Sequence, residues 1–153
     1  MRAKGDIRII EVTDSLPAGL SSLAEQARDE GHRHLDRLIA DWTSGALRFE
    51  RPGEALLAAH IADELVGVGG LAVEPRLQSA FRMRRFYVLP SFRNRGIGGH
   101  LAQTLIQRAA TSAEALTVNA GDEDAGRFWE MVGFARITGD GFTHILLPNH
   151  NGS

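Results

Sequence analysis

The chain of 153 residues has no cysteine and one tyrosine, and only 7% of it is aromatic. The lack of cysteine excludes disulfides, thiolate metal sites and a cysteine nucleophile, and it fits a protein that needs no oxidising compartment. Charge of one sign is also scarce, because the formal net charge is only -2. The chain therefore lacks the basic field with which nucleic-acid-binding proteins neutralise phosphates. Any anion site must be local, and DNA is not an expected partner.

Long hydrophobic runs are missing as well. The first twelve residues, MRAKGDIRIIEV, hold an apolar stretch too short and too interrupted by charge for a signal peptide or a membrane span. We therefore expect a cytoplasmic protein without a membrane partner. Apolar residues still make up 43% of the chain, which suits a single domain over residues 1–153. We expect its core to span residues 5–148, with a disordered tail at 149–153.

The hydrophobic period predicts an α+β protein with the order βααβββαβαββ around one central sheet. The predicted strands are residues 7–12, 55–62, 65–73, 80–89, 116–119, 134–137 and 142–147. The predicted helices are one with apolar residues from Leu16 to Ala27, one from Leu35 to Trp42, one over residues 97–110, and one capped by Asp122 and ended by Gly133.

Two irregularities are predicted within the sheet. Asp63 and Glu64 separate two apolar runs and are typical of a tight hairpin turn. Gly67, Gly69 and Gly70 lie in the second run and predict a bulge or a close backbone approach.

A glycine-rich segment, RNRGIGG at residues 93–99, falls between a predicted strand and a predicted helix. The first N–H groups of a helix lack acceptors and its dipole is positive there, so this turn can bind an anion. Its glycines let the backbone approach a phosphate, and its two arginines add charge. A plain turn with solvated arginines would look similar. A P-loop is excluded because His100 and Leu101 replace the required Lys and Ser or Thr, and the glycine spacing breaks a dinucleotide fingerprint.

Two stretches resemble the GNAT family of N-acetyltransferases. Residues 87–98, YVLPSFRNRGIG, are similar to its motif A, Q/R-x-x-G-x-G/A after a strand carrying V-x-P, with Arg93, Gly96 and Gly98 at the three signature positions. Residues 125–134, AGRFWEMVGF, resemble the family's A-x-x-F-Y-x-x-x-G-F. The element order is also the family's. The resemblance implies a three-layer α/β/α fold with a mixed, mostly antiparallel sheet and one splayed strand pair.

The resemblance further implies direct attack of a primary amine on acetyl-CoA in a ternary complex. The backbone of residues 95–99 would grip the pyrophosphate, and the strand at 86–88 would splay from 116–119 to admit the pantetheine. A backbone N–H near Val88 would polarise the thioester carbonyl. The implied cofactor-binding residues are Phe86, Val88, Arg93, Arg95, Gly96, Ile97, Gly98, Gly99, Asn119 and Trp129.

The proton-transfer groups are harder to assign. Trp129 stands where the family often has a tyrosine that is thought to protonate the leaving thiolate, and an indole cannot do so. Tyr87 is a candidate replacement, although it also suits a packed strand position. Glu74 is a candidate general base, as are His60 and His144, and each also suits a structural role.

Two arginines are candidates for binding the acceptor substrate. Arg82 and Arg84 share one face of a predicted strand, in positions where some family members carry a base. If that face lines the acceptor groove, it favours an anionic group such as a carboxylate, and otherwise it is a solvated edge. His32 and His34 cannot face one way on a helix, so no metal site is predicted.

Three functions are consistent with these features. The first is N-acetylation of a small-molecule or peptide amine. The second is a regulatory module that binds acyl-CoA without chemistry, and the third is a toxin-like acetyltransferase that acts on aminoacyl-tRNA. Pairing through the C-terminal strands is a common family route to a homodimer.

Overall fold

The computed structural model describes residues 6–139 and 141–148, so the predicted tail at 149–153 lies outside the described residues. The strands are β1 (Ile7–Glu11), β2 (Ala55–Ile61), β3 (Glu64–Val73), β4 (Ala80–Val88), β5 (Ala115–Val118), β6 (Ala135–Arg136) and β7 (His144–Leu146). The helices are α1 (Leu20–Asp29), α2 (His34–Ser44), α3 (Ile97–Ala109) and α4 (Glu123–Val132), with a short 3-10 helix at Pro90–Phe92. The predicted element order is confirmed.

All seven strands form one sheet in the order β1-β2-β3-β4-β5-β7-β6. Neighbouring strands are antiparallel except β4 and β5, which are parallel. These two strands pair only from Ala80 opposite Ala115 to Met83 opposite Val118. Because β4 continues to Val88 while β5 ends, the last part of β4 has no partner on that side among the residues that the structure describes. This is the predicted splayed pair.

Helices cover both faces of the sheet and bury a core on each. On one face α3 and α4 pack on the sheet. Leu101 and Leu105 of α3 and Leu116 of β5 are fully buried there. On the other face α1 and α2 contribute Leu35 and Leu38, which are equally buried. The apolar stripes recur every three to four residues, so each helix turns one side toward the sheet. The three-layer α/β/α fold is confirmed.

The predicted bulge in β3 is confirmed and makes room for two aromatic rings. The register of β3 against β4 shifts between Val68 and Gly70. A Cβ on Gly69 would come within 2.7 Å of the Phe86 ring, and one on Gly70 within 2.5 Å of the Phe49 ring. Phe86 packs with the α3 side of the sheet and Phe49 with the α1–α2 side. The adjacent glycines thus admit one ring on each face.

Two boundaries differ from prediction. The β2–β3 turn uses Ala62 and Asp63, at positive φ of 57° and 143°, because Ile61 pairs with Glu64. The C-terminal strands are shorter than predicted, at two and three residues. Phe134 is not in a strand because its N–H bonds the carbonyl of Trp129 and completes the end of α4.

No helix in the described part of the chain is long and apolar enough to span a bilayer. The cytoplasmic location and the extent of the domain over residues 1–153 stay predictions.

Candidate functional site

The site is organised by a kink in β4, just beyond its last pairing with β5. Arg85 has a left-handed φ of 64°, which interrupts the alternation of side chains along the strand. Phe86 and Val88 pack on the α3–α4 face, whereas Tyr87 packs on the α1–α2 face. Arg85 also turns toward α2, where its guanidinium bonds Asp41 at 3.1 Å.

The predicted anion-binding turn lies at the start of α3. Gly96 precedes the helix at φ 81°, and no side chain caps the helix. A Cβ on Gly96 or Gly99 would meet no atom within 4 Å, so the backbone there borders open space. Gly98 differs because a Cβ on it would lie 3.2 Å from Phe128 of α4, and Ile97 is buried beneath the helix. The first turn of α3 therefore presents its N–H groups without a competing side chain.

The two arginines of this turn have different surroundings. Arg93 donates from Nε to the Val88 carbonyl at 2.9 Å, and both ends of its fork bond Glu30 at 2.8 Å. Its guanidinium also lies 5.3 Å from the centre of the Tyr87 ring. Arg95 is exposed and rests over Phe92 at 5.2 Å. Arg93 thus holds the turn against α1, while Arg95 is available to an approaching anion.

Tyr87 lies away from the α4 side of the splay. It is 5% exposed, and its hydroxyl donates to Glu30 at the end of α1. Burial and the Glu30 carboxylate raise the pKa of Tyr87 above its ordinary value. Its hydroxyl therefore stays protonated and engaged on the α1–α2 face, which supports the packed-strand interpretation of this residue.

Two residues near Tyr87 were missed in the sequence. Glu30 joins Tyr87 to Arg93, and His34 bonds the Phe86 carbonyl through Nε2 at 2.8 Å. Burial lowers the pKa of His34, although the Phe86 carbonyl opposes this, so the neutral ring donates this bond. No local pattern marks either residue, because their partners lie 52 to 63 positions along the chain.

His32 and His34 do not share a helix, contrary to the prediction. His32 precedes α2 and His34 is its first residue, and their rings lie 5.7 Å apart. Among the residues that the structure describes, no three His, Asp, Glu or Cys side chains are grouped to hold a metal ion.

Trp129 closes the α4 side of the splay. It is 4% exposed, and its ring meets Phe86, Phe128 and Phe134 edge-on at 4.8, 4.8 and 5.2 Å. The helix that carries it begins at Asp122, whose carboxylate accepts from the Ala125 N–H at 2.8 Å. Asn119 is exposed one residue beyond β5. Of the predicted cofactor residues, Phe86 and Trp129 are thus in direct contact.

Of the three candidate bases, Glu74 lies beside the paired segment of β4 and β5. It follows β3 directly and is 1% exposed, so it is not an exposed loop acid. One carboxylate oxygen accepts from the Thr117 hydroxyl of β5 at 2.8 Å and the other from the Arg76 N–H at 2.9 Å. Burial raises the pKa of Glu74, but these two bonds and the charges of Arg82 and Arg76 outweigh it and leave the pKa below its ordinary value. The carboxylate is therefore ionised.

The two histidine candidates lie elsewhere. His60 of β2 pairs with Arg8 of β1, and β3 separates its strand from β4. His144 of β7 is buried under α4, where it bonds Glu130 at 2.9 Å and Thr143 at 2.7 Å. Both ring nitrogens of His144 are thus occupied by structural contacts.

Arg82 and Arg84 face a cavity of about 350 Å³ on the α2 side of the sheet. Its lining comes from the end of α2, the α2–β2 loop, the end of β3 and β4. The predicted shared face of these two arginines is confirmed.

Comparison with known proteins identifies a family whose sequence model matches the chain and solved structures with a similar fold. The sequence model of the acetyltransferase (GNAT) family matches residues 17–134. A proposed acetyltransferase from Exiguobacterium sp. 255-15 is 26% identical, with a TM-score of 0.84 and 93% of each chain covered. A GNAT acetyltransferase from Staphylococcus aureus Mu50 is 16% identical, with a TM-score of 0.65, and covers 94% of this chain and 100% of its own.

A third solved structure is an aminoglycoside 6'-N-acetyltransferase in complex with coenzyme A. It is 16% identical with a TM-score of 0.63, and the match covers 90% of this chain and 93% of that one. At this identity the likeness shows the fold alone. Comparison with curated protein sequences finds no match.

Proposed function

The chain belongs to the acetyltransferase (GNAT) family, and on that premise we propose that it transfers an acetyl group from acetyl-CoA to a primary amine of a small molecule or peptide. The observation that carries this proposal is the pairing of β4 and β5 up to Met83 and Val118 only. After β4 ends at Val88, the 3-10 helix at Pro90–Phe92 and residues 93–96 lead to the glycine-rich start of α3. The free edge of β4 and the proposed phosphate site are thus close in the chain.

The residues present fit acetyl-CoA. The N–H groups of the first turn of α3 and the Arg95 guanidinium would hold the pyrophosphate, because Gly96 and Gly99 leave the approach open. The unpaired edge of β4 would hold the pantetheine as an added strand, next to Phe86 and Trp129. When bound, acetyl-CoA supplies a thioester activated toward amines. We propose that a backbone N–H near Val88 polarises its carbonyl.

Glu74 is the proton acceptor that we propose. Its carboxylate bonds Thr117, and Thr117 lies opposite Arg82, one pair before β4 and β5 separate. The Glu74 carboxylate is ionised at neutral pH and so can accept a proton from the amine, directly or through water. Trp129 has no acidic proton to give, and a thiol with a pKa of about 8.5 is a tolerable leaving group without one.

Binding of acetyl-CoA is tested through Arg95. We expect Arg95→Ala to weaken acetyl-CoA binding roughly tenfold, since a bond to a charged group is worth about 1.5–3 kcal/mol. Isothermal titration calorimetry measures the dissociation constant of acetyl-CoA for each variant. Arg8→Ala is the control, because Arg8 is an exposed arginine on β1 at the far edge of the sheet. If both variants bound acetyl-CoA with equal affinity, the proposed role of Arg95 in binding the pyrophosphate would be wrong.

Acetyl transfer is tested by release of free thiol from acetyl-CoA with a panel of amines, amino acids and peptides. Release that depends on the acceptor supports transfer. Binding of acetyl-CoA without release for any acceptor would favour the non-catalytic module, which the burial of Trp129 among three phenylalanines at the usual tyrosine position makes a specific alternative.

The role of Glu74 is tested by Glu74→Gln, which keeps the shape of the side chain. Loss of a general base lowers turnover by about 10²–10⁴-fold, and we expect the acidic limb of the kcat profile to disappear with it. An unchanged pH profile with only a lower melting temperature would assign Glu74 a structural role.

A further inference from the structure

The cavity on the α2 side of the sheet contains two guanidinium groups that the fold itself does not pair. Within residues 6–139 and 141–148, the guanidinium groups of Arg82 and Arg84 make no hydrogen bond or ion pair. Both side chains are half-buried on β4. An arginine removed from water in this way is usually paired with an acid, so the missing partner points to a ligand.

The carboxylates around the cavity are largely occupied by other groups. Asp41 bonds Arg85 at 3.1 Å. Glu54 is 5% exposed and accepts from the backbone N–H groups of Arg51 and Val73 at 3.1 and 2.9 Å. Glu50 is exposed on the loop. Asp41 and Glu54 are thus engaged by other groups. Glu74, whose charge acts on Arg82 and Arg84, is likewise engaged by the Thr117 hydroxyl and the Arg76 N–H.

The charge of the cavity is therefore positive where it meets the sheet. Its lining has four arginines, Arg48, Arg51, Arg82 and Arg84, against the three acids. Burial, together with the charges of Arg85 and Arg82, lowers the pKa of Arg84 to about 10, and the charges of Asp41 and Glu74 only partly offset this. Arg85 adds a buried Nε without a partner among the described residues. A bound anion would relieve the repulsion between these guanidinium groups.

The position of these arginines relates the cavity to the proposed reaction. Arg82 lies opposite Thr117, and Arg84 is the first residue of β4 after the last pair with β5. The side chains of Phe86 and Val88 face the opposite, α3 side of the sheet. The cavity thus reaches the splay from the face opposite the proposed acetyl-CoA site, as an incoming amine requires.

We propose that the acceptor amine carries an anionic group, a carboxylate or a phosphate ester, which Arg82 and Arg84 bind on the α2 side of the splay. This inference rests on the proposed acetyl transfer. The planar fork of arginine matches both anions. A volume of about 350 Å³ is at the small end of ligand pockets, which span about 300–1,000 Å³, and it suits a small acceptor.

The test compares three matched series: ω-amino carboxylic acids, the corresponding amino amides and aminoalkyl phosphates. Binding to the protein, with and without coenzyme A, is followed by calorimetry, and KM and kcat are measured for each acceptor. We expect one anionic series to bind at least roughly tenfold more tightly than the amides. The better of the two anionic series identifies the group.

The variants are Arg84→Met and Arg82→Met, which keep the length of the side chain, with Arg8→Met as the control. We expect the first two to abolish the preference for anions by raising KM for the anionic acceptors toward that of the amides, with a retained circular dichroism spectrum. Amides that bind as tightly as both the carboxylic acids and the phosphates, or a preference unchanged in both variants, would overturn the inference.

Two outcomes separate this inference from the proposed function. If acids bind in an Arg84-dependent way but no acceptor releases thiol, the anion site stands and the transfer fails. If neutral amines are acetylated and acids have no advantage, the transfer stands and the anionic acceptor is wrong.

Discussion

Glu30 illustrates at the scale of a single residue how the site is held together. It ends α1, yet its carboxylate pairs with Arg93 beside the start of α3 and accepts from Tyr87 of β4. The Nε of Arg93 in turn donates to the Val88 carbonyl. One acid therefore links α1 to the turn that would bind pyrophosphate, and we regard it as a positioning residue.

The pH dependence of stability should report this pair. The bond from Arg93, assisted by Tyr87, holds the pKa of Glu30 below its ordinary value of 4.5, against the effect of burial. A carboxyl with a lowered pKa stabilises the fold above its unfolded pKa and loses that effect as pH falls through the folded value. We therefore expect Glu30→Gln to lower the melting temperature at pH 7 and the difference from wild type to shrink as the pH falls below 4.5 and through the lowered pKa.

The matched control is Glu25→Gln, since Glu25 is exposed on the same helix. We expect this variant to change the melting temperature little at either pH. A Glu30→Gln deficit that persisted at low pH would show that the charge of the pair does not contribute.

At the scale of an element, the start of α3 separates stability from binding. Gly96 has a left-handed φ of 81°, whereas Gly99 is inside the helix, and neither would bring a new Cβ within 4 Å of another atom. Alanine is better than glycine within a helix, by about 0.5–1 kcal/mol, but left-handed backbone costs it about 1–2 kcal/mol.

We expect Gly99→Ala to raise the midpoint of urea unfolding and Gly96→Ala to lower it. Acetyl-CoA binding should weaken in Gly99→Ala despite the higher stability, because the added methyl enters the open space above the first turn. Calorimetry with acetyl-CoA checks the second expectation. Undiminished affinity in Gly99→Ala would place the pyrophosphate elsewhere.

At the scale of the whole molecule, one sheet separates two cores that each contain a tryptophan. Trp129 lies in the core under α3 and α4, and Trp42 in the core under α1 and α2. If the chain is one cooperative domain, the two cores unfold together even though few side chains connect them directly.

We expect Leu105→Ala and Leu35→Ala, one in each core, to cost about 2–5 kcal/mol of unfolding free energy, because both side chains are 0% exposed. Leu147→Ala, at 68% exposed, is the control. In Trp42→Phe and Trp129→Phe backgrounds, fluorescence reports each core separately, and the urea midpoints should coincide for each leucine variant. Two separate midpoints would divide the chain into two cooperative units.

Much of this architecture follows from local patterns. The predicted order βααβββαβαββ, the bulge among the β3 glycines and the cap at Asp122 are all found in the structure. Each depends on residues close together in the chain, through period, propensity or a side chain that reaches three residues ahead. The C-terminal strands were predicted too long because Phe134, apolar and strand-like in sequence, completes the end of α4.

The family resemblance, the element order and the position of the glycine-rich turn follow from the chain alone, since these are spacings along it. The pairing of charged groups does not, because it depends on contacts between distant residues. Arg93 is engaged by Glu30 across 63 positions and Arg85 by Asp41 across 44, while Arg82 and Arg84 face a cavity. The kink at Arg85 is also a tertiary feature, because it turns Arg84 and Arg85 to the same face, against the alternation that a regular strand predicts.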